Sequence, residues 1–373
     1  MSDVPHLRFP EFSGEWNKYT INDLATVVGG GTPDTTVKSY WGGDIQWFTP
    51  SEIGKNKYVD FSKRTITRDG LDNSSAKLLP LHTILLSSRA TVGECSIASN
   101  ECTTNQGFQS LIAKQCNIDF LYYLIQTKKK DLIRNACGST FLEISANEIR
   151  KIKVAVPVQN EQEQIAKLLS LIDERIATQN KIIEDLKKLK SAIRKKVFVS
   201  LKEEHTECCE INQLLTYEQP TAYIVTNDEY STDTTLIPVL TANKGFVLGY
   251  TDEDFGIYQK GECIIFDDFT MDAKYVSFPF KVKSSAIKML TAKPNVNLRF
   301  MFEYLSYLEL KSEEHKRHYI SEIASLVVEL PSKEMQNKIA SLMTSLDNKL
   351  ALEENTSVRY EDEKQYLLSQ MFI

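Results

Sequence analysis

The sequence has no long hydrophobic run, although 42% of its 373 residues are hydrophobic. A membrane-spanning helix needs about 20 consecutive apolar residues, so no transmembrane segment is predicted. The first ten residues also lack the basic start and the apolar stretch that are typical of a secretory signal. We therefore expect a cytoplasmic protein without a membrane partner and with enough apolar material for buried cores.

Paired cysteines are missing as well. The seven cysteines are scattered, none forms a Cys-x-x-Cys motif, and the adjacent Cys208 and Cys209 have no second cluster with which to complete a zinc site. The five histidines show no metal-ligand spacing either. The sequence therefore predicts reduced thiols and no bound metal.

Recognisable catalytic motifs are also absent. The triple glycine at residues 29–31 is not followed by Lys-Ser/Thr, so it is not a P-loop, and no Gly-x-Ser-x-Gly elbow or Asn-Pro-Pro-aromatic motif occurs. Asp267, Asp268 and Lys274 could belong to a metal-dependent nuclease, but no pattern fixes the additional acid that such a site needs. We expect no catalytic residue in this chain.

The net charge of −6 argues weakly against a nucleic-acid partner. The excess acid is concentrated in residues 202–330, which carry 12 basic and 21 acidic side chains, whereas residues 1–157 carry 18 basic and 16 acidic. A DNA-binding protein needs a basic face rather than a basic whole, so this distribution is compatible with a local DNA-binding surface.

The strongest positive signal is an internal repeat. Residues 148–198 align with residues 322–372 without a gap, at a constant offset of 174. Each copy is predicted to be a short strand, a proline that ends it and a long helix, because proline lacks the N–H for a further ladder hydrogen bond. Identical pairs include Glu148/Glu322, Pro157/Pro331, Gln162/Gln336, Asp173/Asp347 and Phe198/Phe372.

The helix of each copy carries one apolar stripe. In the first, apolar residues recur at steps of three and four, and no proline or glycine interrupts residues 158–201. About 40 helical residues would span roughly 60 Å, and a helix of this kind needs a partner, which the second copy supplies. The stripe of the second helix is interrupted at Glu353, Ser357 and Lys364, so we expect weaker packing in its middle.

The charges of the two helices are opposite and could help them to select each other. The second helix is acidic between Glu353 and Glu363. The basic residues near the end of the first could equally be a solvated face, or a contact with DNA or a partner subunit. They are Lys187, Lys188, Lys190, Arg194, Lys195 and Lys196.

Upstream of each long helix lies a region of mixed strands and helices, here called a head. The two heads share an order of apolar strand, second strand and apolar helix, but they differ in sequence far more than the long helices do. We predict an α+β protein with two α/β heads and two long helices. The predicted bounds are 1–157 for head 1, 158–203 for the first long helix, 204–331 for head 2 and 332–373 for the second long helix.

Head 1 has three polar loops that could contact DNA. Its glycine-rich loop lets backbone N–H groups approach phosphates, Arg89 could bind guanine or phosphate through two hydrogen bonds, and the amides of Asn105 and Gln106 suit adenine. An ordinary turn and a structural arginine are the alternatives. The candidate DNA-binding residues of head 1 are Gly31, Thr32, Lys55, Lys57, Arg89, Thr91, Asn105 and Gln106, with Lys63, Arg64 and Arg68 beside them as phosphate contacts.

Head 2 offers lysines for the same purpose. Lys281 and Lys283 alternate along a predicted strand and would share one face, which suits a phosphate-facing edge. We expect the many acidic residues of this head to face away from DNA. The candidate DNA-binding residues of head 2 are Lys244, Lys274, Lys281 and Lys283.

Several sequence motifs accompany the repeat. Those of head 2 are Tyr217-Glu-Gln-Pro-Thr221 and Ile265-Phe-Asp-Asp-Phe-Thr270, and those of head 1 are Leu7-Arg-Phe-Pro-Glu-Phe12, Gly30-Gly-Thr-Pro33, Tyr40-Trp41, Thr49-Pro-x-Glu52 and Asn105-Gln-Gly-Phe108. Together with the repeat, these motifs resemble the specificity subunits of type I restriction-modification systems, and head 2 is similar to one variant of that family. Ala90 departs from the family pattern, since many relatives have glycine after the arginine.

The resemblance implies two target-recognition domains related by pseudo-twofold symmetry, with the long helices packed antiparallel as a coiled coil. Each head would read one half of a split target in double-stranded DNA, and the helices would set the gap. The chain itself would bind no cofactor. Its partners would be two modification subunits, which use S-adenosylmethionine to methylate adenine, and restriction subunits, which use ATP and Mg to translocate and cut DNA.

Two competing hypotheses remain open from the sequence. A coiled-coil scaffold that binds only proteins would explain the helices but not two heads with polar loops, and specific, salt-sensitive DNA binding would exclude it. An enzyme that acts alone on DNA would be excluded if the isolated chain neither cuts nor methylates DNA.

Overall fold

The computed structural model describes residues 4–138, 142–203, 207–242, 245–310 and 319–373. The chain divides into two units, of which unit 1 consists of Met1–Asn180 with Asn355–Ile373 and unit 2 consists of Lys181–Glu354. Each unit therefore contains one head and one half of each long helix. The predicted boundary at residue 204 lies outside the described residues.

Unit 1 contains the elements that come first in the chain. Its strands are β1 (Asn17–Thr20), β2 (Ala25–Gly29), β3 (Trp41–Phe48), β4 (Tyr58–Val59), β5 (Arg64–Ile66), β6 (Ile84–Leu86), β7 (Cys95–Ala98), β8 (Cys102–Thr104), β9 (Gln109–Ala113) and β10 (Lys153–Val156). Its helices are α1 (Ile21–Leu24), α2 (Arg68–Asp72), α3 (Ile118–Thr127), α4 (Lys129–Arg134), α5 (Ala146–Lys151) and the first part of the long helix α6 (Gln159–Glu203).

Head 1 is built on two sheets. The larger has the strand order β2-β9-β6-β7-β4 and the smaller the order β5-β3-β8. Every pair is antiparallel except β4 with β7 and β3 with β8, which are parallel. Helix α3 buries Phe120 to Ile125 in a core that also contains Ile84, Leu86 and Leu111 of the larger sheet. Apolar side chains at nearly every position of α3 explain why it is buried on most sides.

Unit 2 repeats this plan with other residues. Its strands are β11 (Glu207–Glu210), β12 (Leu215–Glu218), β13 (Ile237–Leu240), β14 (Val247–Thr251), β15 (Cys263–Asp267), β16 (Ala273–Val276), β17 (Lys281–Val282), β18 (Ile287–Ala292) and β19 (Val327–Leu330). Its helices are α7 (Ile211–Leu214), α8 (Leu298–Tyr307) and the first part of the long helix α9 (Lys333–Met371). The sheets have the orders β12-β18-β15-β16 and β14-β13-β17.

The two heads therefore share one topology except for β4, which adds a fifth strand to the larger sheet of head 1. In each, the first strand pairs antiparallel with the strand that precedes the long helix, β1 with β10 and β11 with β19. The smaller sheet of each head has a central strand with one antiparallel and one parallel neighbour. The heads contain both helices and strands, as predicted. The term α/β does not apply in its strict sense, because the sheets are mainly antiparallel and helices do not alternate with parallel strands.

The repeat places an identical glutamine between the long helix and the head in both units. In unit 1 Gln162 accepts a hydrogen bond from Asn117 N at 3.0 Å and donates one to Pro157 O at 2.9 Å. In unit 2 Gln336 accepts from Asn297 N at 2.8 Å and donates to Pro331 O at 2.9 Å. Both asparagines also cap the apolar helix of their head, α3 or α8. Each glutamine thus joins three segments of its unit.

Replacing Gln162 or Gln336 with leucine is expected to destabilise its unit by about 1–3 kcal/mol, because a buried backbone N–H and a carbonyl lose their partners. Denaturant unfolding measures the loss. Gln159→Leu is the control, since Gln159 is exposed and bonds only to Glu163. If Gln159→Leu and Gln162→Leu lowered the free energy of unfolding equally, this explanation of the buried glutamine would be contradicted.

The long helices contact each other within each unit. In unit 1 Lys364 lies 2.7 Å from Asp173, and Ser357 donates a hydrogen bond to Asn180 at 2.9 Å. In unit 2 Lys187 pairs with Glu354 at 2.8 Å and Lys190 pairs with Asp347. Residue numbers rise along one helix as they fall along the other, so the contacting segments are antiparallel. Ser357 and Lys364, which interrupt the apolar stripe, are used in these polar contacts.

The end of each long helix packs on the apolar helix of a head. Phe372 stacks on Phe120 with a centroid distance of 5.2 Å in unit 1, and Phe198 lies 5.6 Å from Phe300 in unit 2. Burial of a phenylalanine side chain contributes about 1.5–3 kcal/mol to the stability of the fold.

Within the described residues, none of the helices combines the length and the apolar character that crossing a membrane requires.

Candidate nucleic-acid interface

The three polar loops predicted in head 1 meet at one end of its sheets. They follow β2, β6 and β8, and short backbone hydrogen bonds join them: Gly31 N donates to Thr104 O at 2.8 Å, and Ser88 N donates to Gly107 O at 2.8 Å. Thr32 Oγ1 also donates to the side-chain oxygen of Gln106, which lies 74 positions away in the sequence. Loops that are distant along the chain thus form one polar surface.

The glycine-rich loop is packed against its neighbours rather than open to an anion. A Cβ on Gly30 would lie 2.0 Å from Asn105 O, and one on Gly31 would lie 2.3 Å from Ala76 N. Gly31 is buried, its N–H is bonded to Thr104 O, and its carbonyl accepts from Trp47 Nε1 at 2.9 Å. The predicted phosphate contact by the Gly31 backbone is therefore wrong; the glycines allow close packing that sets the Asn105–Gln106 loop.

Arg89 lies on the rim of this surface with its side chain 48% exposed. Its Nε is 3.5 Å from a carboxylate oxygen of Glu143, and residues 89 and 143 form an isolated antiparallel bridge. An ion pair this exposed is worth about 0–1 kcal/mol, so Arg89 can leave it for a base or a phosphate at little cost. The next residue, Ala90, has φ 64°, a conformation that favours glycine, which is the residue that the family pattern has at this position.

The remaining side chains of the loops are close to the surface. Thr91 Oγ1 shares a hydrogen bond of 2.9 Å with Ser87, and Asn105 Oδ1 accepts from Gly107 N at 2.9 Å. Gln106 is exposed. Asn105 therefore uses one side-chain atom within its own turn, whereas the side-chain amide of Gln106 faces solvent.

The ion pair of Arg89 with Glu143 was not predicted from the sequence, because no spacing signal connects residues so far apart.

The two lysines predicted for head 1 have different environments. Lys55 is exposed. The side chain of Lys57 is only 9% exposed, and its Nζ lies 2.6 Å from Ser170 Oγ on α6 and 2.7 Å from Asp119 on α3. It also lies 4.8 Å from the ring centre of Tyr123. The predicted DNA contact by Lys57 is wrong, because this lysine ties its loop to two helices.

The flanking arginines are arranged beside this surface. Arg64 lies over the ring of Trp41 at 3.5 Å and within 5.5 Å of the ring centre of Trp47, and Arg68 pairs with Asp72 at 3.4 Å. Arg64 is exposed, and a guanidinium beside an aromatic ring can still donate hydrogen bonds, so Arg64 remains suited to a phosphate contact.

The predicted lysines of head 2 that the structure describes lie in different environments. Lys244 lies outside the described residues, and Lys274 is half-buried on β16 opposite Ile265. Lys281 is fully buried: its Nζ lies 2.5 Å from Glu253, donates to Phe255 O at 2.8 Å and sits 4.3 Å from the Phe255 ring centre. The predicted phosphate contact by Lys281 is therefore wrong, because the side chain is enclosed in the core of the head.

Lys283 is accessible, with its side chain 38% exposed. It pairs at 2.5 Å with Asp228, whose side chain is 83% exposed, and this hydrogen bond raises the pKa of Lys283. Because the ion pair is exposed, Lys283 can exchange its partner for a phosphate at little cost.

The acidic residues that suggested a nuclease have structural contacts. Asp267 accepts hydrogen bonds from Phe269 N and Thr270 N at 2.9 Å each, which caps a turn. Asp268 lies 3.3 Å from Lys288 and accepts from Tyr319 N at 2.8 Å. In the part of the chain that the structure describes, no group of three or more His, Cys, Asp or Glu could hold a metal ion.

Both copies of the head match one known protein family. A family model described as the type I restriction modification DNA specificity domain matches residues 13–188 and again residues 205–359. The chain belongs to this specificity family. The two matches coincide with the two copies of the head and the start of its long helix, so the resemblance drawn from the motifs is confirmed.

Named relatives within the specificity family share individual segments. The specificity subunit of the type I restriction enzyme MjaIX from Methanocaldococcus jannaschii is 36% identical over 219 residues, 57% of this chain and 50% of the relative. The EcoR124I/EcoR124II specificity subunit from Escherichia coli is 41% identical over 142 residues, 36% of this chain and 35% of the relative. The chain thus matches half or less of the length of these relatives.

Solved structures of the specificity family share the fold along the whole chain. The S subunit of a type I restriction-modification system from M. genitalium has a TM-score of 0.63 at 17% identity and covers 99% of both chains. A chain from a type I R-M system complex has a TM-score of 0.59 at 11% identity and covers 97% of this chain and 98% of its own. At such low identity the likeness concerns the fold alone.

Proposed function

We propose that this chain is the DNA-specificity subunit of a type I restriction-modification complex, in which each head reads one half of a split target. The observation that carries the proposal is that two heads of one topology present different loops while their contacts to the long helices repeat. A constant support with variable loops is the arrangement expected when one protein must read two different sequences.

In this proposal the base-reading residues of head 1 are Arg89, Asn105 and Gln106. Arginine reads guanine and amide side chains read adenine through paired hydrogen bonds in the major groove. Thr91 lies on the same loop as Arg89, and the exposed Lys55 and Arg64 would neutralise phosphates. For head 2, Lys283 together with Lys274 and Lys244 is proposed to serve the backbone of the second half-site.

The long helices are proposed to form an antiparallel coiled-coil pair that acts as a spacer between the half-sites. Their contacts within each unit run antiparallel, and neither helix contains proline or glycine. A rigid spacer would fix the gap between the two half-sites without affecting what either head reads.

The chemistry is proposed to reside in other subunits. Two modification subunits would use S-adenosylmethionine to methylate adenine, and restriction subunits would use ATP and Mg to translocate and cleave DNA. The chain would supply recognition and positioning only. One structural neighbour comes from work on the complex assembly and conformational transition of a type I R-M system, which suits an assembly of this kind.

Methylome sequencing tests the proposal directly. Cells that express this chain with its cognate modification subunit are compared with cells that express the modification subunit alone. Methylated adenines at a split motif only when the chain is present are the expected result. An unchanged methylome, with both proteins folded and associated, would favour a protein-binding scaffold instead.

Gln106→Ala is expected to relax the target at one position of one half-site and to weaken specific binding there by about 1–3 kcal/mol. Lys55→Ala is the matched control, because a phosphate contact should weaken binding to all sequences alike and lower the salt dependence by about one ion. Both are measured by DNA titration of the assembled complex at several salt concentrations. Unchanged affinity and target sequence for Gln106→Ala would remove this residue from the reading surface.

A further inference from the structure

The apolar helices of the two heads are equivalent, and so are the ends of the two long helices. Asn117 caps α3 and Asn297 caps α8, which relates the two helices by 180 residues and makes Glu303 the equivalent of Tyr123. The repeat of 174 residues makes Arg194 on α6 the equivalent of Leu368 on α9. At this one place, therefore, the two units use different chemistry.

In unit 2 the place is occupied by a buried carboxylate. Glu303 is fully buried, and Nε and Nη2 of Arg194 each lie 2.8 Å from its Oε2. Arg299 Nη2 lies 2.6 Å from the other oxygen, and Lys190 Nζ lies 3.6 Å from it. Arg299 and Lys190 also pair with Asp347, so Arg194 is the cation devoted to Glu303.

In unit 1 the same place has a tyrosine and a leucine instead of the glutamate and the arginine. Tyr123 is fully buried and donates a hydrogen bond to Asp173 Oδ2 at 2.6 Å. Leu368 is 6% exposed and belongs to the same buried apolar cluster as Tyr123. The ion pair between the long helices is nevertheless kept in both units, as Lys190 with Asp347 and as its equivalent Lys364 with Asp173.

We propose that Arg194 with Glu303, and Leu368 with Tyr123, are matched pairs that determine which long-helix end each head accepts. The shared lysine–aspartate pair cannot discriminate, because both units have it. The pairs that differ can discriminate between the helix ends. Helix α8 accepts the last turns of α6 and rejects the last turns of α9, whether these come from the same chain or from a second copy.

The physical reason is the mismatch of buried charge. If the end of α9 lay on α8, leucine would replace Arg194, and Glu303 would have to share Arg299 and the lysine of the long helix with the aspartate of the other long helix. If the end of α6 lay on α3, the guanidinium of Arg194 would enter the cluster around Tyr123, where the nearby carboxylate of Asp173 is already bonded to Tyr123 and to a lysine. Both crossed arrangements are penalised, so the two repeated helices do not exchange their partners.

It follows that the two heads are not interchangeable on their supports. A head moved to the other support would need the matching residue of the long-helix end to move with it. This consequence concerns assembly of the chain and does not depend on DNA recognition.

The test exchanges the two helix residues in the full-length chain. The variant R194L/L368R has the amino-acid composition and charge of the parent but is mismatched in both units. We expect its unfolding temperature in calorimetry to fall by roughly 6–12 °C. The fourfold variant R194L/L368R/Y123E/E303Y, again of unchanged composition, restores the match and should regain at least half of the loss.

A control exchange one residue further along uses exposed positions. Lys195 and Ser369 are related by the same offset and are both exposed, so K195S/S369K should unfold at the parent temperature. The proposal is overturned if R194L/L368R is as stable as the parent, or if the fourfold variant is no more stable than the twofold one. If the twofold variant only aggregates, a fourfold variant that is soluble and unfolds cooperatively supports the proposal, and one that also aggregates overturns it.

Discussion

Replacing Lys281 with methionine is expected to destabilise unit 2 by about 3–5 kcal/mol. Lys281 is fully buried and Glu253 is only 10% exposed, so the substitution leaves a carboxylate without its cation in a place that water hardly reaches. Thermal and denaturant unfolding measure the loss. DNA binding should fall only to the extent that the head unfolds, because the lysine does not reach the surface.

Two further variants separate this explanation from a role in DNA binding. K281M/E253Q removes both charges and should regain much of the stability, since the costly group is the unpaired carboxylate. Lys283→Met removes an exposed cation two residues away and should leave the unfolding temperature almost unchanged while weakening DNA binding. Lys281→Met that folds normally but binds DNA poorly would contradict the buried role.

The pH dependence of stability tests the pair of Lys281 and Glu253 independently. Burial raises the pKa of Glu253, but hydrogen bonds from Lys281 and Thr226 outweigh burial and hold the pKa at about 2, below the ordinary value of 4.5. A lowered carboxyl pKa contributes stability above pH 4.5 that is lost as the pH falls towards 2. The stability gap between the parent and Lys281→Met should therefore narrow across this interval.

Gly30→Ala is expected to distort the polar surface of head 1 and to cost about 1–3 kcal/mol of stability or more. A Cβ at this position would lie 2.0 Å from Asn105 O and 2.6 Å from Thr104 O, and backbone atoms held in a strand and a tight turn cannot move aside easily. Because Asn105 and Gln106 are carried on the displaced segment, methylation of the first half-site should fall more than the loss of stability alone explains.

The adjacent glycine supplies the control. A Cβ on Gly29 would meet nothing closer than the side-chain amide of Gln109 at 3.6 Å, which is an ordinary contact. Gly29→Ala should therefore be tolerated in both stability and methylation. If Gly29→Ala and Gly30→Ala lowered stability and methylation equally, the effect would come from the end of β2 in general and not from the close approach of Gly30 to Asn105.

The elements that were predicted from the sequence are those with a local signal. Pro157 and the uninterrupted stripe after it predict the long helix over residues 158–203, and it begins at Gln159. The short strand predicted before Pro157 is Lys153–Val156, and it follows a short helix over residues 146–151 that Ser145 caps. A capping serine followed by Glu148 was a readable signal for that helix.

The errors concern which side chains are inside. Alternation predicted that Lys281 and Lys283 share a face, but alternation cannot tell which face is covered. Lys57 was assigned to DNA because it neighbours other cations, yet Ser170 and Asp119, which enclose it, lie more than 60 residues away in the sequence. A long-range partner leaves no trace in local spacing.

The sequence by itself determined the repeat, the two long helices, the pairing of each head with its helix and membership of the specificity family, because periodicity, capping and motif spacing act over a few residues. Only the tertiary structure decided that three loops of head 1 form one surface, that Gly31, Lys57 and Lys281 are structural, and that Arg194 and Leu368 meet different partners. These outcomes depend on burial, and burial is set by segments that meet only after the chain has folded.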